Sequence, residues 1–184
     1  MSRGTTLGED ERLRIFLALE LPDDVVGALV TWGKAQLLRG RPVTSFHVTL
    51  AFLGSRPRSE LDAVVDVLRR ESAAAAPFTL SPVRYRETRS VGMVVLADPS
   101  GEATRLAERI QSGLERLGCY RREARRWLPH VTVLRFSSKP GLTPPLPEIA
   151  AFAPSGAAAL LSRLSPSGAR YEVIQSCAVG TPGG

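Results

Sequence analysis

The chain has only two histidines, and both begin the same three-residue pattern. His47 and His130 are each followed by a valine and then by a threonine, Thr49 and Thr132. Histidine exchanges protons near neutral pH more readily than any other side chain, because its unperturbed pKa is about 6.5. The repeated pattern therefore predicts one site in which two histidines act as acid and base.

Alternation along a β-strand would put the histidine and the threonine of each pattern side by side. Successive side chains of a strand point to opposite faces. His47 and Thr49 would share one face, and so would His130 and Thr132, while the intervening valines face a core. The same rule assigns Phe52 to the core. For Phe16 and Phe52 we expect core packing, and the alternative is a surface on which bases stack.

Two histidines with two hydroxyls suit the hydrolysis of a phosphodiester closed as a 2',3'-cyclic ring. One imidazole takes a proton from water and the other gives a proton to the leaving sugar oxygen, each contributing roughly 10²–10⁴ in rate. The hydroxyls donate hydrogen bonds to the non-bridging oxygens. We expect neither a metal nor another cofactor, since the His and Cys spacing shows no metal-ligand pattern.

A single His-x-Thr on an apolar strand would more simply be a buried structural histidine. Two copies in matching surroundings favour catalysis. The first half of the chain predicts a strand over 12–20, a helix over 23–38 and a strand over 46–53 closed by Gly54. The second half predicts a strand over 91–96, a helix over 102–117 capped by Gly118, and a strand over 128–136.

Each half thus contains a strand, a helix and a strand that carries a histidine. Two such units related by a pseudo-twofold axis would bring the two histidine strands face to face across one cleft. A further helix over 57–70 follows the first motif. Residues 138–154 are expected to be a loop, with a short helix as the alternative, and strands over 157–164 and 170–177 a terminal hairpin.

Composition is that of an ordinary globular protein, with 43% hydrophobic and 23% charged residues. We expect a single domain over residues 1–184, with a polar tail at 1–11 and a flexible tail at 178–184. No apolar run is long enough for a membrane span and no secretory leader is evident, so we expect a cytoplasmic protein with reduced thiols at Cys119 and Cys177. We also expect a monomer.

The net charge of +6 is carried almost entirely by arginine, with lysine only at positions 34 and 139. Arginine binds phosphate in planar, bidentate fashion, so the charge permits an RNA or nucleotide substrate. A GC-rich genome would give the same bias. Five arginines between positions 116 and 126 either follow an RNA backbone or form a solvated link with Glu115 and Glu123.

Four segments, in order, resemble the 2H phosphoesterase superfamily, in particular its bacterial and archaeal RNA 2',3'-cyclic phosphodiesterases, long called 2'-5' RNA ligases. Residues 12–22 resemble that family's opening strand. FHVTLAFLG at 46–54 resembles LHLTLRFLG, RWLPHVTVLR at 126–135 resembles RFRPHVTLAR, and RLSPSGARY at 163–171 resembles RLSPGGARY. The loop at 40–45 lacks the family's usual Trp-Val-Pro-Glu-Asn-type run.

The resemblance implies an α+β fold of two pseudo-twofold-related antiparallel sheet lobes with outer helices around a central cleft. It also implies hydrolysis of 2',3'-cyclic phosphate ends of RNA or nucleotides to 2'-phosphates. It implies that His47 is the proton donor and His130 the proton acceptor, with Thr49 and Thr132 holding the phosphate. Arg135 matches the family's arginine, but strict alternation puts it on the face opposite His130, so it reaches the phosphate only if the strand bulges. The alternatives are an RNA-end binding module without turnover, and a 2'-5' ligase running the reaction backward.

Overall fold

The computed structural model describes residues 11–165 and 168–180, which form one antiparallel sheet with three α-helices. The strands are β1 (Arg12–Glu20), β2 (Arg41–Pro42), β3 (His47–Pro57), β4 (Ser81–Glu87), β5 (Val91–Ala97), β6 (His130–Arg135), β7 (Gly156–Ser165) and β8 (Gly168–Cys177). The helices are α1 (Asp23–Gln36), α2 (Leu61–Ala73) and α3 (Glu102–Arg116). The predicted α+β class is confirmed. None of these helices is long and apolar enough to cross a bilayer.

The two predicted repeats lie on either side of the sheet centre. The strand order is β4-β5-β6-β3-β1-β7-β8, with the short β2 also paired to β6. The unit β1-α1-β3 and the unit β5-α3-β6 therefore meet where β3 and β6 pair. The predicted two-lobed arrangement is confirmed, and the strands of both lobes join into one continuous curled sheet.

The helices cover the apolar side of the sheet. In α3, Leu106, Ile110 and Leu114 are fully buried at helical spacing. The helix ends as predicted, because Gly118 takes the left-handed conformation and the Cys119 amide reaches back to the Leu114 carbonyl. Burial of these three side chains holds α3 against the first lobe, because α3 contacts β3 of that lobe.

Some predicted boundaries were wrong for identifiable reasons. Strand β3 continues through Gly54 to Pro57, because Gly54 adopts a φ of +70° at an irregularity in the pairing with β1 and the strand resumes beyond it. Strand β4 was not predicted, since its sequence is interrupted by Pro82 and alternating arginines. Its place at the edge of the sheet explains why a proline is tolerated there.

The ends of the chain and its free thiols were partly predicted. Gly180 is buried against Pro77. Residues 181–184 and 1–10 lie outside the described residues, as does the hairpin turn at 166–167. Residues 138–154 form no helix, and an isolated bridge joins Leu80 to Phe152. Both cysteines are free thiols.

Candidate active site

The pairing of β3 with β6 brings the two His-x-Thr patterns together. Val48 lies directly across from Val131 in this antiparallel pair. The register therefore sets His47 opposite Thr132, and Thr49 opposite His130, on the face away from the valines. Cβ atoms at such opposed positions are roughly 5 Å apart. Two imidazoles and two hydroxyls thus form a quartet, with the histidines at diagonal corners.

Each motif is followed by a β-bulge at the same position. In β3, Thr49 and Ala51 pair with consecutive residues of β1, so Leu50 is the extra residue. In β6, Thr132 and Leu134 pair with consecutive residues of β5, so Val133 is the extra residue. An extra residue reverses the alternation beyond it. Both strands therefore change which side chains they present just after the threonine.

The bulges decide which face Phe52 and Arg135 take. Strict alternation assigns Phe52 to the core, but it is 48% exposed and lines the same cleft as His47. The same alternation puts Arg135 on the face opposite His130 unless the strand bulges. The strand does bulge, and Arg135 lines the cleft together with Thr132.

Side chains and backbone from elsewhere satisfy the backbone groups at the bulges. The Gln111 amide donates to the Leu50 carbonyl at 2.9 Å, and this contact is buried. The Trp127 indole donates to the Thr49 carbonyl at 2.9 Å. At the second bulge, the Val43 amide donates to the carbonyl of Val133 at 3.0 Å. Sequence reasoning missed all three contacts, which join segments distant in the chain.

The cleft has a cavity volume of about 410 Å³ and is lined by both motifs and by cations. Its lining includes His47, Thr49 and Thr132; His130 is not part of the lining and stands next to Thr49 by register. The cationic lining residues are Arg14, Arg41 and Arg135, and no acidic residue of the described ranges lines the cleft. The cleft is thus suited to an anion.

Arg41 is a cleft residue that the sequence did not reveal. It lies in β2 directly opposite Arg135 of β6. Like charges at opposed positions on neighbouring strands destabilise a sheet. Neither guanidinium lies within 4.0 Å of a carboxylate in the described part of the chain. A bound anion would offset this repulsion.

Aromatic rings surround His47. Its ring centroid lies 4.9 Å from that of Phe16 and 5.3 Å from that of Tyr171, the latter edge-on. Phe16 is only 3% exposed, so the expectation of a core role holds for it. At Phe52, the Arg14 guanidinium carbon lies over the ring, 4.8 Å from the ring centroid. Phe16 and Tyr171 thus enclose the first histidine, whereas Phe52 stays half-exposed at the cleft.

This surrounding lowers the pKa of His47 to about 4. Burial is the largest cause, followed by the positive charges of Arg135 and His130. The Ser45 backbone acts in the opposite direction but more weakly, in line with a buried Nδ1 that makes no hydrogen bond of good geometry with the described residues. At neutral pH the ring is neutral in the free protein.

His130 is held differently. Its Nδ1 lies 2.8 Å from the Leu128 carbonyl oxygen, which only accepts hydrogen bonds. Nδ1 therefore carries a hydrogen and donates it, so in the neutral ring Nε2 has the free lone pair. An imidazole fixed in this tautomer is arranged to accept a proton at Nε2.

No group of three or more His, Cys, Asp or Glu side chains in the described ranges is placed to hold a metal ion. The groups that converge on the cleft are donors and cations. A two-lobed sheet whose central strands each present a His-x-Thr pair is the arrangement of the 2H phosphoesterases.

Comparison with known proteins agrees with this class. Residues 22–164 match the family model described as the 2'-5' RNA ligase superfamily. An RNA 2',3'-cyclic phosphodiesterase of Thermus thermophilus is 32% identical over 177 residues, covering 89% of this chain and 88% of that protein. The chain therefore belongs to the 2'-5' RNA ligase superfamily.

Solved structures show the same fold. The crystal structure of TT0787 of Thermus thermophilus aligns with a TM-score of 0.77 at 29% identity, covering 91% of this chain and 98% of that one. The structure of E. coli LigT with 3'-AMP aligns with a TM-score of 0.80 at 25% identity, covering 93% and 100%. LigT has also been solved with NADP+, with a TM-score of 0.81 at 27% identity, covering 93% and 99%.

Proposed function

We propose that this chain hydrolyses 2',3'-cyclic phosphate ends of RNA or nucleotides to 2'-phosphomonoesters without a metal. The observation that carries the proposal is the register of β3 against β6, which sets His47 opposite Thr132 and Thr49 opposite His130. Two proton-transfer groups and two hydroxyl donors on one face of a cationic cleft are the set that this reaction requires.

The phosphate would lie between the two motifs. The hydroxyls of Thr49 and Thr132 donate to its non-bridging oxygens, and the Arg135 guanidinium offsets the charge that develops on them. Arg41, directly opposite Arg135, adds a second cation. Preorganised donors of this kind stabilise the transition state without reorganising.

In the reaction, His130 Nε2 takes a proton from water as the water oxygen attacks phosphorus. The bond from phosphorus to the 3'-oxygen breaks, and His47 gives a proton to that oxygen. The product carries a free 3'-hydroxyl and a 2'-phosphate. The Leu128 carbonyl supports the acceptor role, because it holds the proton of the neutral ring on Nδ1.

A donor must be protonated, yet burial and positive neighbours keep His47 neutral in the free protein. A bound phosphodiester brings a negative charge to the same place. It would offset the charge of Arg135, and so raise the pKa of His47 as the substrate binds. The substrate itself would therefore prepare the acid that cleaves it.

The comparisons support this proposal. The Thermus relative is named an RNA 2',3'-cyclic phosphodiesterase, and E. coli LigT has been crystallised with 3'-AMP and with phosphate. The exposed face of Phe52 is available to stack on the terminal base, a contact worth about 1–3 kcal/mol in other proteins.

Every residue that the mechanism uses comes from one chain, so a monomer would suffice, and free thiols fit a cytoplasmic protein.

The test is incubation with an RNA that ends in a 2',3'-cyclic phosphate, followed by ³¹P NMR. We expect a single 2'-phosphomonoester and an undiminished rate in the presence of EDTA. A 3'-phosphate product, or activity abolished by chelation, would contradict the mechanism. Tight binding of the RNA with no product would instead indicate a binding module, and accumulation of 2'-5' linked RNA would indicate a ligase.

A further inference from the structure

A second basic cavity adjoins the cleft and shares residues with it. This cavity, here called the basic groove, has a volume of about 840 Å³. Arg41 and Arg135 line both the cleft and the basic groove. The cleft and the basic groove therefore adjoin at these two arginines, which are exposed to a ligand in either cavity.

The basic groove is lined by cations and hydroxyls, and by no acidic residue of the described ranges. Beyond the two shared arginines its lining includes Arg39, Lys139 and the hydroxyls of Ser90, Ser137 and Ser138. Within the described residues, neither Arg39 nor Lys139 lies within 4.0 Å of a carboxylate. Unpaired cations that converge with hydroxyls are the donors that phosphate groups require.

The other arginine-rich region of the chain is different. Arg122 donates to Ser112 Oγ at 2.6 Å and to the Glu108 carbonyl, and it lies 3.6 Å from Glu115. Arg125 is paired with Glu123. For Arg122 and Arg125, these contacts favour the solvated link with Glu115 and Glu123 over the alternative in which they follow an RNA backbone. Of the two regions, the one beside the cleft is therefore better placed to bind a polyanion.

Specific contacts hold the walls of the groove. Gly40 has a φ of +96°, and a Cβ there would lie 3.0 Å from the Arg135 carbonyl oxygen, so only glycine allows this close approach of the loop to β6. On the other wall, Glu87 accepts from the amides of Gly141 and Leu142 at 2.9 Å each. These two bonds anchor the segment that carries Lys139.

The described lining of the groove offers no free stacking surface. Its one aromatic residue, Phe136, is half-buried and packs against the hydrophobic core. Charges and hydroxyls without an exposed ring recognise a sugar–phosphate backbone and not the bases. A ligand in the groove would therefore be bound without regard to its sequence.

We propose that the basic groove binds the phosphodiester backbone of the nucleotides that precede the reacting end, so that the preferred substrate is an RNA strand and not a cyclic mononucleotide. The inference rests on the proposed function, because it takes the cleft to hold the terminal cyclic phosphate. Arg39 and Lys139 would contact upstream phosphates, while Arg41 and Arg135 bridge the two sites.

The test compares two ligands and two double variants. The groove variant is Arg39→Gln with Lys139→Gln. The matched control is Arg121→Gln with Arg126→Gln, which removes the same charge from exposed residues outside both cavities. The ligands are cytidine 2',3'-cyclic phosphate and a five-nucleotide RNA with the same cyclic end. A fluorescent copy of that RNA with a 2'-phosphate end reports binding by anisotropy.

In the wild type we expect kcat/KM to be higher for the RNA. The groove variant should lower the ratio of the two kcat/KM values about tenfold, whereas the control should leave it unchanged. Loss of two phosphate contacts should reduce the slope of log affinity against log salt by about 1.4, at roughly 0.7 per contact in single strands. The change in slope is the readout that a merely structural role would not produce.

The inference would be overturned by a groove variant that binds the RNA as the wild type does, or by a control variant with the same loss. A wild type with no preference for the RNA would also overturn it. Failure of the proposed function has a different signature. Neither cyclic substrate would then be hydrolysed, while anisotropy would still report whether the groove binds the strand.

Discussion

The two lobes carry the same pattern in the same position but surround it differently. Each motif is followed by a bulge at the third residue after its histidine, Leu50 in one lobe and Val133 in the other. As a result, the fifth residue after each histidine turns into the cleft. That residue is Phe52 in the first lobe and Arg135 in the second. One lobe thus offers a ring for a base, and the other a cation for a phosphate.

The surroundings of the two histidines also differ. His47 is enclosed by Phe16 and Tyr171, its Nδ1 makes no hydrogen bond with the described residues, and its pKa is lowered. His130 has its tautomer fixed by the Leu128 carbonyl. A duplicated pattern therefore yields two distinct roles, because neighbours outside the pattern lower the pKa of His47 and fix the tautomer of His130.

The largest expected effect comes from removing either imidazole. His47→Asn and His130→Asn should each lower kcat by about 10²–10⁴, since each removes one proton-transfer group from the reaction. The measurement is steady-state hydrolysis of a cyclic-ended RNA. Circular dichroism serves as the folding control. Near wild-type turnover in either variant would remove that histidine from the mechanism.

Substituting the fifth residue after each histidine distinguishes the roles of the two lobes further. Arg135→Gln should reduce kcat/KM about 10²-fold or more for every cyclic substrate, because it removes charge stabilisation at the phosphate. Phe52→Leu should chiefly raise KM, by roughly 5- to 150-fold, because it removes stacking worth about 1–3 kcal/mol. Michaelis–Menten analysis distinguishes them. If both variants changed the same parameter equally, the proposed division between base and phosphate would be wrong.

The bulges explain how much of the difference between the two lobes could be predicted from the sequence. Strand alternation correctly placed His47 and Thr49 on one face, since both line the cleft and two residues of regular strand suffice for that. It placed Phe52 wrongly, and Arg135 reaches the cleft only through the bulge that the sequence analysis named as the condition, since one extra residue reverses the faces beyond it. The contact that satisfies the bulge in β3 comes from Gln111, distant in the chain.

Other features were beyond local patterns altogether. The first strand was predicted with its observed bounds, Arg12–Glu20, because it is a continuous run of bulky apolar residues. Arg41 was not recognised as a site residue, since β2 has only two residues and exists through pairing with β6. The lowered pKa of His47 depends on burial and on charges brought in by the fold.

A smaller effect concerns pH and stability. The pKa of His47 is about 4 in the folded chain and near 6.5 when exposed, so the unfolded state binds more protons between these values. Stability should therefore rise with pH across that window. Acidification from pH 7 to 4 should cost up to about 3 kcal/mol through this residue. Urea denaturation of wild type and His47→Asn measures the difference, and parallel pH profiles would contradict the assignment.

The smallest effect is expected at the bulge itself. Gln111→Leu leaves the Leu50 carbonyl without its buried donor, which should lower the free energy of unfolding by about 1–3 kcal/mol. Gln111→Glu has the same shape but lacks the donor, and it should cost at least as much. The matched control is Gln175→Leu, because the Gln175 amide donates to a carbonyl at an exposed contact. Equal losses at both positions, measured by urea denaturation, would argue against a special role for the bulge.

The most direct test of the central claim is an NMR titration of both imidazoles with inorganic phosphate. If the two rings flank one anion, the resonances of His47 and His130 should shift together with a single dissociation constant, and the pKa of His47 should rise in the complex. A response confined to one ring, or two unrelated dissociation constants, would contradict the account.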